Sequence, residues 1–346
     1  MAAGVTCSFS SAVFFLLLLN CILFVSTNVD EVIDDGDEND RALGPSGYMK
    51  REYSAIKPFV GGTSMQFWEM KGDSLLTDDY IRLTPDQQSK SGAVWNTLPV
   101  MVRDWEVHVH FKVQGQNTRF FGDGFAFWYT KDRSELGPVF GAKDYHDGLS
   151  IFFDTYANQN GEHSHEHPYI SAQINNGTTH YDHDKDGTHS ALAGCTAHFR
   201  GVDAETHVAI RYLGSRKRLT VQHDMDDENK WAECFDRYGV ELPTGYFLGF
   251  SSQTGDLSDN HDLISVKFYE LASNDAEDDP AQYLNIQPKA DGAEPERDHS
   301  EDDKVYTRKD RALNWFLGIV LVLIAIALLG FFYYQKMQRD NMKRFY

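Results

Sequence analysis

Short segments in which apolar and polar residues alternate fill the middle of the chain, and two long apolar runs lie near its ends. The alternation is clearest over residues 105–113, where a period of two is typical of a strand with one buried face. Comparable segments, separated by Gly, Asn and Asp, occupy residues 124–129, 149–153, 170–174, 206–212, 218–223, 246–250 and 263–268. This succession predicts one large all-β domain over residues 48–271, an antiparallel β-sandwich.

The apolar run near the N terminus covers residues 12–25. It is too short to span a bilayer, which takes about 20 residues, but it fits the hydrophobic region of a signal peptide. The small residues Ser26 and Thr27 follow it, although residues 1–11 contain no Lys or Arg. We therefore predict a signal peptide at residues 1–28, with a buried strand or an uncleaved anchor as the alternatives.

The apolar run near the C terminus, residues 315–334, contains 20 residues without a charge. As a helix it would be about 30 Å long, which matches the hydrocarbon core of a bilayer. Trp315, Tyr333 and Tyr334 lie at its ends, where interfacial aromatic residues are expected. The run predicts a transmembrane helix at residues 314–334, and a buried core helix is the alternative.

A signal peptide followed by one transmembrane helix predicts a single-pass type I membrane protein. Residues 335–346 would then form a cytoplasmic tail. Residues 272–313 are rich in Asp and Glu and poor in apolar residues, so they cannot bury enough surface to offset the entropy of ordering. This composition predicts an acidic lumenal stalk, although a packed helical neck including residues 302–314 is an alternative.

Charge and cysteine content narrow the class of protein. The formal net charge is −20, which argues against nucleic-acid binding because phosphate contacts need clustered Lys and Arg. Two of the four cysteines leave with the predicted signal peptide, and Cys195 and Cys234 remain in an oxidising compartment. We predict a disulfide between them, worth roughly 3–4 kcal/mol, with two free buried thiols as the alternative. Asn176 begins an Asn-Gly-Thr glycosylation sequon.

Oxygen-rich loops between the predicted strands carry the candidate chemistry. Asp154, Asn158 and Asp186, with the backbone carbonyl of Tyr156, supply the kind of oxygen ligands that calcium prefers. Solvated acidic loops without a metal remain the alternative at this point.

Two other metal-binding patterns are weaker. An EF-hand-like spacing begins at Asp182, but its twelfth position is Ala193 where a bidentate Glu is required. Alternate histidines at His163, His165 and His167 would share one face of a strand and could bind zinc. Their surroundings indicate a loop, so we interpret them as exposed loop histidines.

Patterns typical of an enzyme are absent from the sequence. A sandwich glycosidase needs two carboxylates that flank the scissile bond, and no predicted strand carries a Glu-x-Asp-x-Glu run. The Gly-x-Ser-x-Gly nucleophile elbow is also absent. We therefore expect a binding protein and not an enzyme.

Several segments, in order, resemble the animal L-type lectins, and in particular the vesicular integral membrane protein lectins of the early secretory pathway. The matching segments are residues 105–113, Gly122-Asp-Gly124, Gly137-Pro-Val-Phe-Gly141, Phe153-Asp-Thr-Tyr156, Asn175-Asn-Gly177, Tyr181-Asp-His183, Leu192-Ala-Gly-Cys-Thr196, Leu242-Pro-Thr-Gly-Tyr246, residues 254–262 and the tail Lys343-Arg-Phe-Tyr346. The resemblance covers essentially the whole mature chain.

The resemblance implies a legume-lectin-like jelly roll that binds high-mannose N-glycans with Ca²⁺. Carried over by position, Asp154, Tyr156 (through its carbonyl), Asn158 and Asp186 would hold the calcium ion. The residues implied in mannose binding are Ser89, Asp123, Asn158, His183, Gly255, Asp256 and Leu257. Residues 159–167 are His-rich and match nothing in the family pattern.

The resemblance also implies a cargo receptor in ER–Golgi transport, located in the ER, the intermediate compartment or the Golgi. Phe345 and Tyr346 resemble an aromatic export signal for vesicle coat proteins, and Lys343 and Arg344 resemble an imperfect dibasic retrieval signal. A basic stop-transfer flank is the alternative for these basic residues. A glycan-independent adhesion or structural ectodomain is the main rival function, and a sandwich glycosidase is a weaker one.

Release of cargo in a more acidic compartment is a further expectation. Calcium binding requires ionised carboxylates, so affinity should fall with pH. We also expect His183, at the sugar site, to gain charge near pH ~6–6.5.

Overall fold

The structure is a computed structural model that describes residues 47–117, 121–158, 165–272 and 279–291. The predicted signal peptide, transmembrane helix and cytoplasmic tail lie outside these residues, as does most of the predicted stalk. Among the residues described, none of the helices has the length and apolar character needed to cross a membrane.

Strands dominate the described residues, and the helical elements among them are short 3-10 turns. In chain order the strands are β1 (Tyr48–Met49), β2 (Trp68–Gly72), β3 (Leu75–Leu76), β4 (Ile81–Thr84), β5 (Ser91–Asn96), β6 (Asp104–Gln114), β7 (Gly124–Thr130), β8 (Asp147–Asp154), β9 (Tyr169–Asn176), β10 (Ala193–Thr196), β11 (Thr206–Leu213), β12 (Arg218–Asp224), β13 (Ala232–Tyr238), β14 (Val240–Glu241), β15 (Phe247–Gln253), β16 (Asn260–Glu270) and β17 (Lys289–Ala290). The 3-10 turns are Arg51–Tyr53, His183–Lys185, Thr188–Ser190 and Pro280–Tyr283.

Two antiparallel sheets form the sandwich. One has eight strands in the order β13-β12-β11-β6-β16-β4-β3, with β1 paired to β16. The other has seven strands in the order β10-β9-β8-β7-β15-β5-β2. Each segment predicted from alternation forms a strand, so the predicted all-β sandwich is confirmed.

The main core lies between the sheets and follows from the alternation. On β6, Trp105, Val107 and Val109 are at most 1% exposed, and they point into the same cluster as Phe125 and Phe127 of β7. Aromatic and β-branched residues suit these positions because they fill a pleated, buried surface.

The outer face of the seven-stranded sheet carries a second apolar cluster. Ala126 and Trp128 of β7 pack there with Phe140, Phe152 and Tyr181, apart from the main core. The indole N–H of Trp128 donates to Ser251 Oγ, which donates in turn to the carbonyl of Phe140. The sheet is therefore covered on both faces. We call the cluster of Trp128, Phe140, Phe152 and Tyr181 the aromatic floor, and the loops over the outer face pack on it.

The predicted disulfide is confirmed. Cys195 of β10 is bonded to Cys234 of β13, with Cα atoms 5.2 Å apart. These strands lie at the ends of the two different sheets, so the bond ties one sheet edge to the other.

Part of the predicted stalk belongs to the folded domain. Residues 279–291 pack on it through β17, which pairs with β14, and through Tyr283, whose hydroxyl accepts from Arg103. Thr244 Oγ1 also donates to the carbonyl of Pro280. The assignment of a solvated stalk from residue 272 is therefore wrong for residues 279–291, because a few backbone and side-chain contacts order an otherwise acidic segment.

Candidate functional site

The candidate site lies where β7 begins and β8 ends. Gly124 of β7 pairs with Asp154 of β8, which places Asp123 beside the end of its neighbour. The backbone N–H of Thr155 donates to the carbonyl of Asp123 at 3.0 Å. The Gly122–Asp123 peptide bond is cis. Antiparallel pairing thus brings two acidic residues that are 31 positions apart to one end of the sheet.

The loop after β8 folds back on the two predicted calcium carboxylates. Asp154 and Asp186 are 7% and 6% exposed. The backbone N–H of Tyr156 donates to Asp154 Oδ1, and that of Asn158 donates to Asp186 Oδ1, both at 3.0 Å. The structure therefore brings Asp154, Asn158 and Asp186 together, as the sequence predicts. The ring of Tyr156 is 41% exposed, and its carbonyl as a ligand stays a prediction.

The local backbone explains how Asp186 reaches the site. Asp186 ends the turn His183–Lys185 with φ 49°, in the left-handed region. Gly187 follows with φ 67°, and a Cβ there would lie only 2.3 Å from the ring of Tyr181. The Asp-Gly pair is therefore needed for a tight reversal over the aromatic floor.

The electrostatics of Asp154 favour a cation. The pKa of Asp154 is raised to about 6: burial is the main cause, the nearby charge of Asp186 adds to the rise, and His167 opposes it. One carboxylate oxygen of Asp154 lies within 4.8 Å of one of Asp186. A positive ion between two buried carboxylates stabilises their charged forms. The residues present therefore fit Ca²⁺, which prefers carboxylate, amide and carbonyl oxygens.

A cavity of about 240 Å³ adjoins these carboxylates. Its lining residues are Asp123, Pro138, Phe140, Asp154, Asn158, Tyr181, His183, Asp186 and Gln253. The cavity is polar on the side of the acids and aromatic on the side of the floor, a combination that suits a sugar ring.

Sequence reasoning identified the acids, Asn158 and His183, but not the walls of this cavity. Phe140 and Tyr181 lie within segments that carry the family resemblance, and Pro138 precedes Phe140 in one of them. Those matched segments were the signal for the walls. Gln253, at the end of β15, lies just before the matched segment 254–262 and offered no separate signal.

The predicted mannose loop, residues 255–257, lies against Asp123. A Cβ at Gly255 would be 3.4 Å from Asp123 Oδ2, so the absence of a side chain leaves the carboxylate open. Burial raises the pKa of Asp123 to about 6, with further contributions in the same direction included in that value from the charges of Asp154 and Asp256. Leu257 approaches Gly122, where a Cβ would be 3.5 Å from that of Leu257.

Ser89 contacts the mannose loop, residues 255–257, through a backbone hydrogen bond. Its backbone N–H donates to the carbonyl of Gly255 at 3.0 Å, and Gln88 Nε2 donates to the carbonyl of Asp256 at 2.7 Å. Ser89 has φ 55°. The structure therefore places Ser89 near the site through the backbone of the loop, and it is not among the residues that line the cavity.

His183 lines the cavity against two aromatic rings. Its ring centroid is 4.8 Å from that of Tyr181 and 6.2 Å from that of Phe140, and its Nε2 is buried without a hydrogen-bond partner. Burial lowers the pKa of His183 below its usual range. Desolvation disfavours the imidazolium, so the gain of charge that the sequence predicts for His183 is shifted to lower pH.

His167 is the residue that sequence reasoning placed wrongly. Its side chain is only 6% exposed, so the interpretation as an exposed loop histidine fails for this residue. His165 instead stacks on Tyr169, with ring centroids 4.1 Å apart. His163 lies outside the described residues. The run of alternate histidines gave no sign that Pro168 and the start of β9 would turn one of them inward.

The glycosylation candidate lies away from these residues on the surface. Asn176 ends β9 and is exposed, and Thr178 Oγ1 donates to its side-chain oxygen at 2.6 Å. An exposed sequon is accessible for modification, and glycosylation of Asn176 stays a prediction.

Comparison with known proteins decides the family. The profile of the legume-like lectin family matches residues 46–278. The chain is 46% identical over 312 residues to the vesicular integral-membrane protein VIP36 of Mus musculus, covering 88% of this chain and 86% of that protein. The chain belongs to the legume-like lectin family.

Other relatives of this lectin agree. It is 42% identical over 316 residues to the VIP36-like protein of Mus musculus, covering 90% of each. The crystal structure of the VIP36 exoplasmic/lumenal domain in its Ca²⁺/Man3GlcNAc-bound form matches it with a TM-score of 0.65 and 49% identity, covering 70% of this lectin and 100% of that chain. The legume-lectin-like fold implied by the resemblance is confirmed.

Proposed function

We propose that this lectin binds mannose residues of high-mannose N-glycans in a calcium-dependent manner. The observation that carries the proposal is the cavity in which the carboxylate of Asp123 adjoins the buried pair Asp154 and Asp186. The Ca²⁺/Man3GlcNAc-bound form of the VIP36 lumenal domain, at 49% identity, supports it. Membership of a lectin family supports a binding protein and not an enzyme.

Calcium would act on the loop and not on the sugar directly. Asp154, Asn158 and Asp186, with the carbonyl of Tyr156, would hold the ion. A bound ion fixes the segment from Asp154 to Asn158, which presents the side chain of Asn158 to the cavity. Fixing the loop in advance reduces the entropy lost when the glycan binds.

The sugar itself would be bound by both hydrogen-bond acceptors and hydrogen-bond donors of the protein. A vicinal diol presents donors and acceptors, and the ionised carboxylate of Asp123 accepts from two hydroxyls at once. Backbone N–H groups of residues 255–257 are placed to donate, because Gly255 allows close approach. Phe140 and Tyr181 form an apolar wall for the face of the ring.

The cellular role extends the proposal to residues outside those described. We infer a single-pass type I membrane protein of the early secretory pathway that acts as a cargo receptor in ER–Golgi transport. The name of the VIP36 relative, a vesicular integral-membrane protein, supports membrane anchoring. Residues 1–28, 314–334 and 335–346 would be signal peptide, membrane helix and tail, and Lys343, Arg344, Phe345 and Tyr346 would contact vesicle coat proteins.

A glycan array tests the binding function. We expect the wild-type ectodomain to bind high-mannose glycans with calcium, and binding to be lost with a chelator. Asp123→Asn should lower binding by at least about tenfold, since a neutral amide cannot replace a charge-assisted acceptor. Asp203→Asn is the matched control and should bind normally, because Asp203 is exposed and is not among the residues that line the cavity.

Binding that survives both Asp123→Asn and the chelator would reject the lectin mechanism. A glycan-independent ectodomain would show no glycan signal in any arm. A glycosidase would release sugar from the array, which mass spectrometry of the supernatant detects.

A further inference from the structure

Two exposed aromatic rings lie beside the cavity and have no role in the function proposed above. The ring centroids of Tyr145 and His180 are 5.7 Å apart, and the ring planes are inclined by 31°. Tyr145 is 49% exposed, and the side chain of His180 is 60% exposed. Neighbouring rings that are open to water offer apolar surface to a ligand. We call Tyr145 and His180 the outer aromatic pair.

One carboxylate holds both members of the outer aromatic pair. The side chain of Asp144 is only 14% exposed, and its Oδ2 is paired with His180 Nδ1. Asp144 Oδ1 accepts the backbone N–H of Tyr145 at 2.8 Å and that of Tyr181 at 3.0 Å. Because the two rings are held in place before a ligand arrives, less entropy is lost when the ligand binds.

The outer aromatic pair adjoins the wall of the cavity. Tyr181, which follows His180 in the chain, lines the cavity, and so does His183. Burial has the largest effect on the pKa of His183, and the charges of Asp144 and His180 also contribute. Such contributions require these side chains to be near one another. The pair therefore lies at the rim of the cavity on the side of His183.

The backbone of Tyr145 is in a conformation that large side chains rarely adopt. Its φ is 52°, in the left-handed region, which Gly and Asn enter more readily than Tyr does. Strained residues persist only where the surrounding structure holds them, and they are common at ligand-binding sites. This strain is not offset by burial of the ring, since Tyr145 is 49% exposed.

The cavity is too small to enclose an oligosaccharide. Its volume of about 240 Å³ is below the roughly 300–1,000 Å³ of sites that take drug-sized ligands. When one mannose of a glycan occupies the cavity, the neighbouring sugar rings must therefore lie outside it, at the rim. The rim on the side of His183 presents the outer aromatic pair.

We propose that the outer aromatic pair is a second sugar subsite, which packs against a hexose ring next to the mannose in the cavity. One face of a hexose presents C–H groups, which suit the face of an aromatic ring. The hydroxyl of Tyr145 and Nε2 of His180 are available to hydroxyls of the sugar. The proposal rests on the proposed function, since the first mannose must occupy the cavity.

Calorimetry of the full-length protein in detergent, with calcium present, tests the subsite with two ligands. Tyr145→Asn removes the ring and suits the left-handed backbone, so we expect it to fold normally. Its affinity for a free high-mannose oligosaccharide should fall by about three- to tenfold, while its affinity for methyl α-mannoside should not change. His180→Asn should act in the same direction. Tyr145→Phe keeps the ring and should bind the oligosaccharide nearly as well as the wild type.

Tyr48→Asn is the matched control, because Tyr48 is exposed on β1 of the eight-stranded sheet. It should bind both ligands like the wild type. A wild-type affinity of Tyr145→Asn for the oligosaccharide would overturn the proposal. An equal loss of affinity for both ligands would also overturn it, by showing that the substitution acts on the cavity itself.

The glycosylation candidate is another source of sugar near the outer aromatic pair. A Cβ at Gly177 would be 3.8 Å from the carbonyl oxygen of Tyr145, so a glycan on Asn176 would be attached close by. The effect of Tyr145→Asn should persist in an Asn176→Gln background. Its disappearance there would overturn the proposal, by showing that the pair packs against the protein's own glycan. Failure of the wild type to bind methyl α-mannoside with calcium would instead reject the proposed function, and the second subsite with it.

Discussion

At the scale of single residues, the site depends on carboxylates whose charged forms are disfavoured by burial and by neighbouring acids. Asp123 and Asp154 are largely removed from water and close to further acids, and the pKa of each is raised to about 6. Such groups bind a proton or a cation more readily than exposed acids do. At Asp154, the proposed calcium ligand of the two, calcium and protons therefore compete for the same oxygens.

This competition predicts the pH dependence of calcium binding. The carboxyl of Asp154 is ionised above about pH 6 and protonated below it, and calcium binds only the ionised form. Affinity should be constant at neutral pH and then fall by up to about tenfold per pH unit for each proton displaced. Calcium titrations between about pH 7.5 and about pH 5 measure this, with Asp203→Asn as a control that keeps the same profile. An affinity that does not change over that range would contradict the prediction.

The role of a residue can be predicted from the sequence where its loop combines a suitable ligand type with a recognisable family motif. Asp154, Asn158 and Asp186 combine oxygen ligands with a family pattern, and the structure brings them together. His167 could not be assigned, because its burial depends on how Pro168 and β9 direct the chain. A side chain that becomes a neighbour only through tertiary packing leaves no local pattern in the sequence.

At the scale of elements, β16 of the eight-stranded sheet contains a buried histidine, His261. His261 is 1% exposed, and its Nδ1 lies 2.9 Å from Thr84 Oγ1 of β4. Burial, aided by the charge of Arg200, lowers the pKa of His261 to about 3. The folded protein therefore keeps this ring neutral where the unfolded chain would protonate it.

The sign of the stability effect follows. Between pH ~6.5 and about 3 the unfolded state binds one more proton at His261, so stability falls as pH falls through that window. At about pH 5 the loss from this residue should be about 2 kcal/mol relative to neutral pH. Urea unfolding of wild type and His261→Gln at both pH values measures it, and the variant should lose less. His198→Gln, at an exposed position, should lose as much as wild type.

Elements were predictable when one face of the strand is buried. β6 alternates clearly and was assigned almost to its ends. β5 was missed because all but its first residue are buried, which removes the alternation. β13 was missed because much of it is exposed at the sheet edge, and its place depends on pairing with β12 and on the disulfide.

At the scale of the molecule, the folded domain is longer than its composition indicates. Residues 279–291 are attached through β17, Tyr283 and Pro280. Composition alone assigns them to a stalk because few apolar residues are present. A short strand pair and a few hydrogen bonds are enough here because the partner surface is already folded.

Ending the chain at residue 272 should therefore destabilise the domain. The hydrogen bonds to Arg103 and Thr244 and the pair β14–β17 would be lost, at about 1 kcal/mol for each hydrogen bond. We expect a fall in Tm of roughly 5–10 °C for a loss of about 2–3 kcal/mol. A chain ending at residue 291 is the control for calorimetry and should melt like the longer ectodomain. Equal Tm values for the two lengths would show that the segment adds no stability.

The aromatic floor on the outer face of the seven-stranded sheet has a consequence for divergence. Because Trp128, Phe140 and Tyr181 form a cluster apart from the main core, recognition and folding depend on largely different residues. Substitutions in the loops above the floor can alter the preferred sugar or metal while the interior stays intact. Relatives that share this sandwich are thereby free to acquire different specificities without each change threatening the fold.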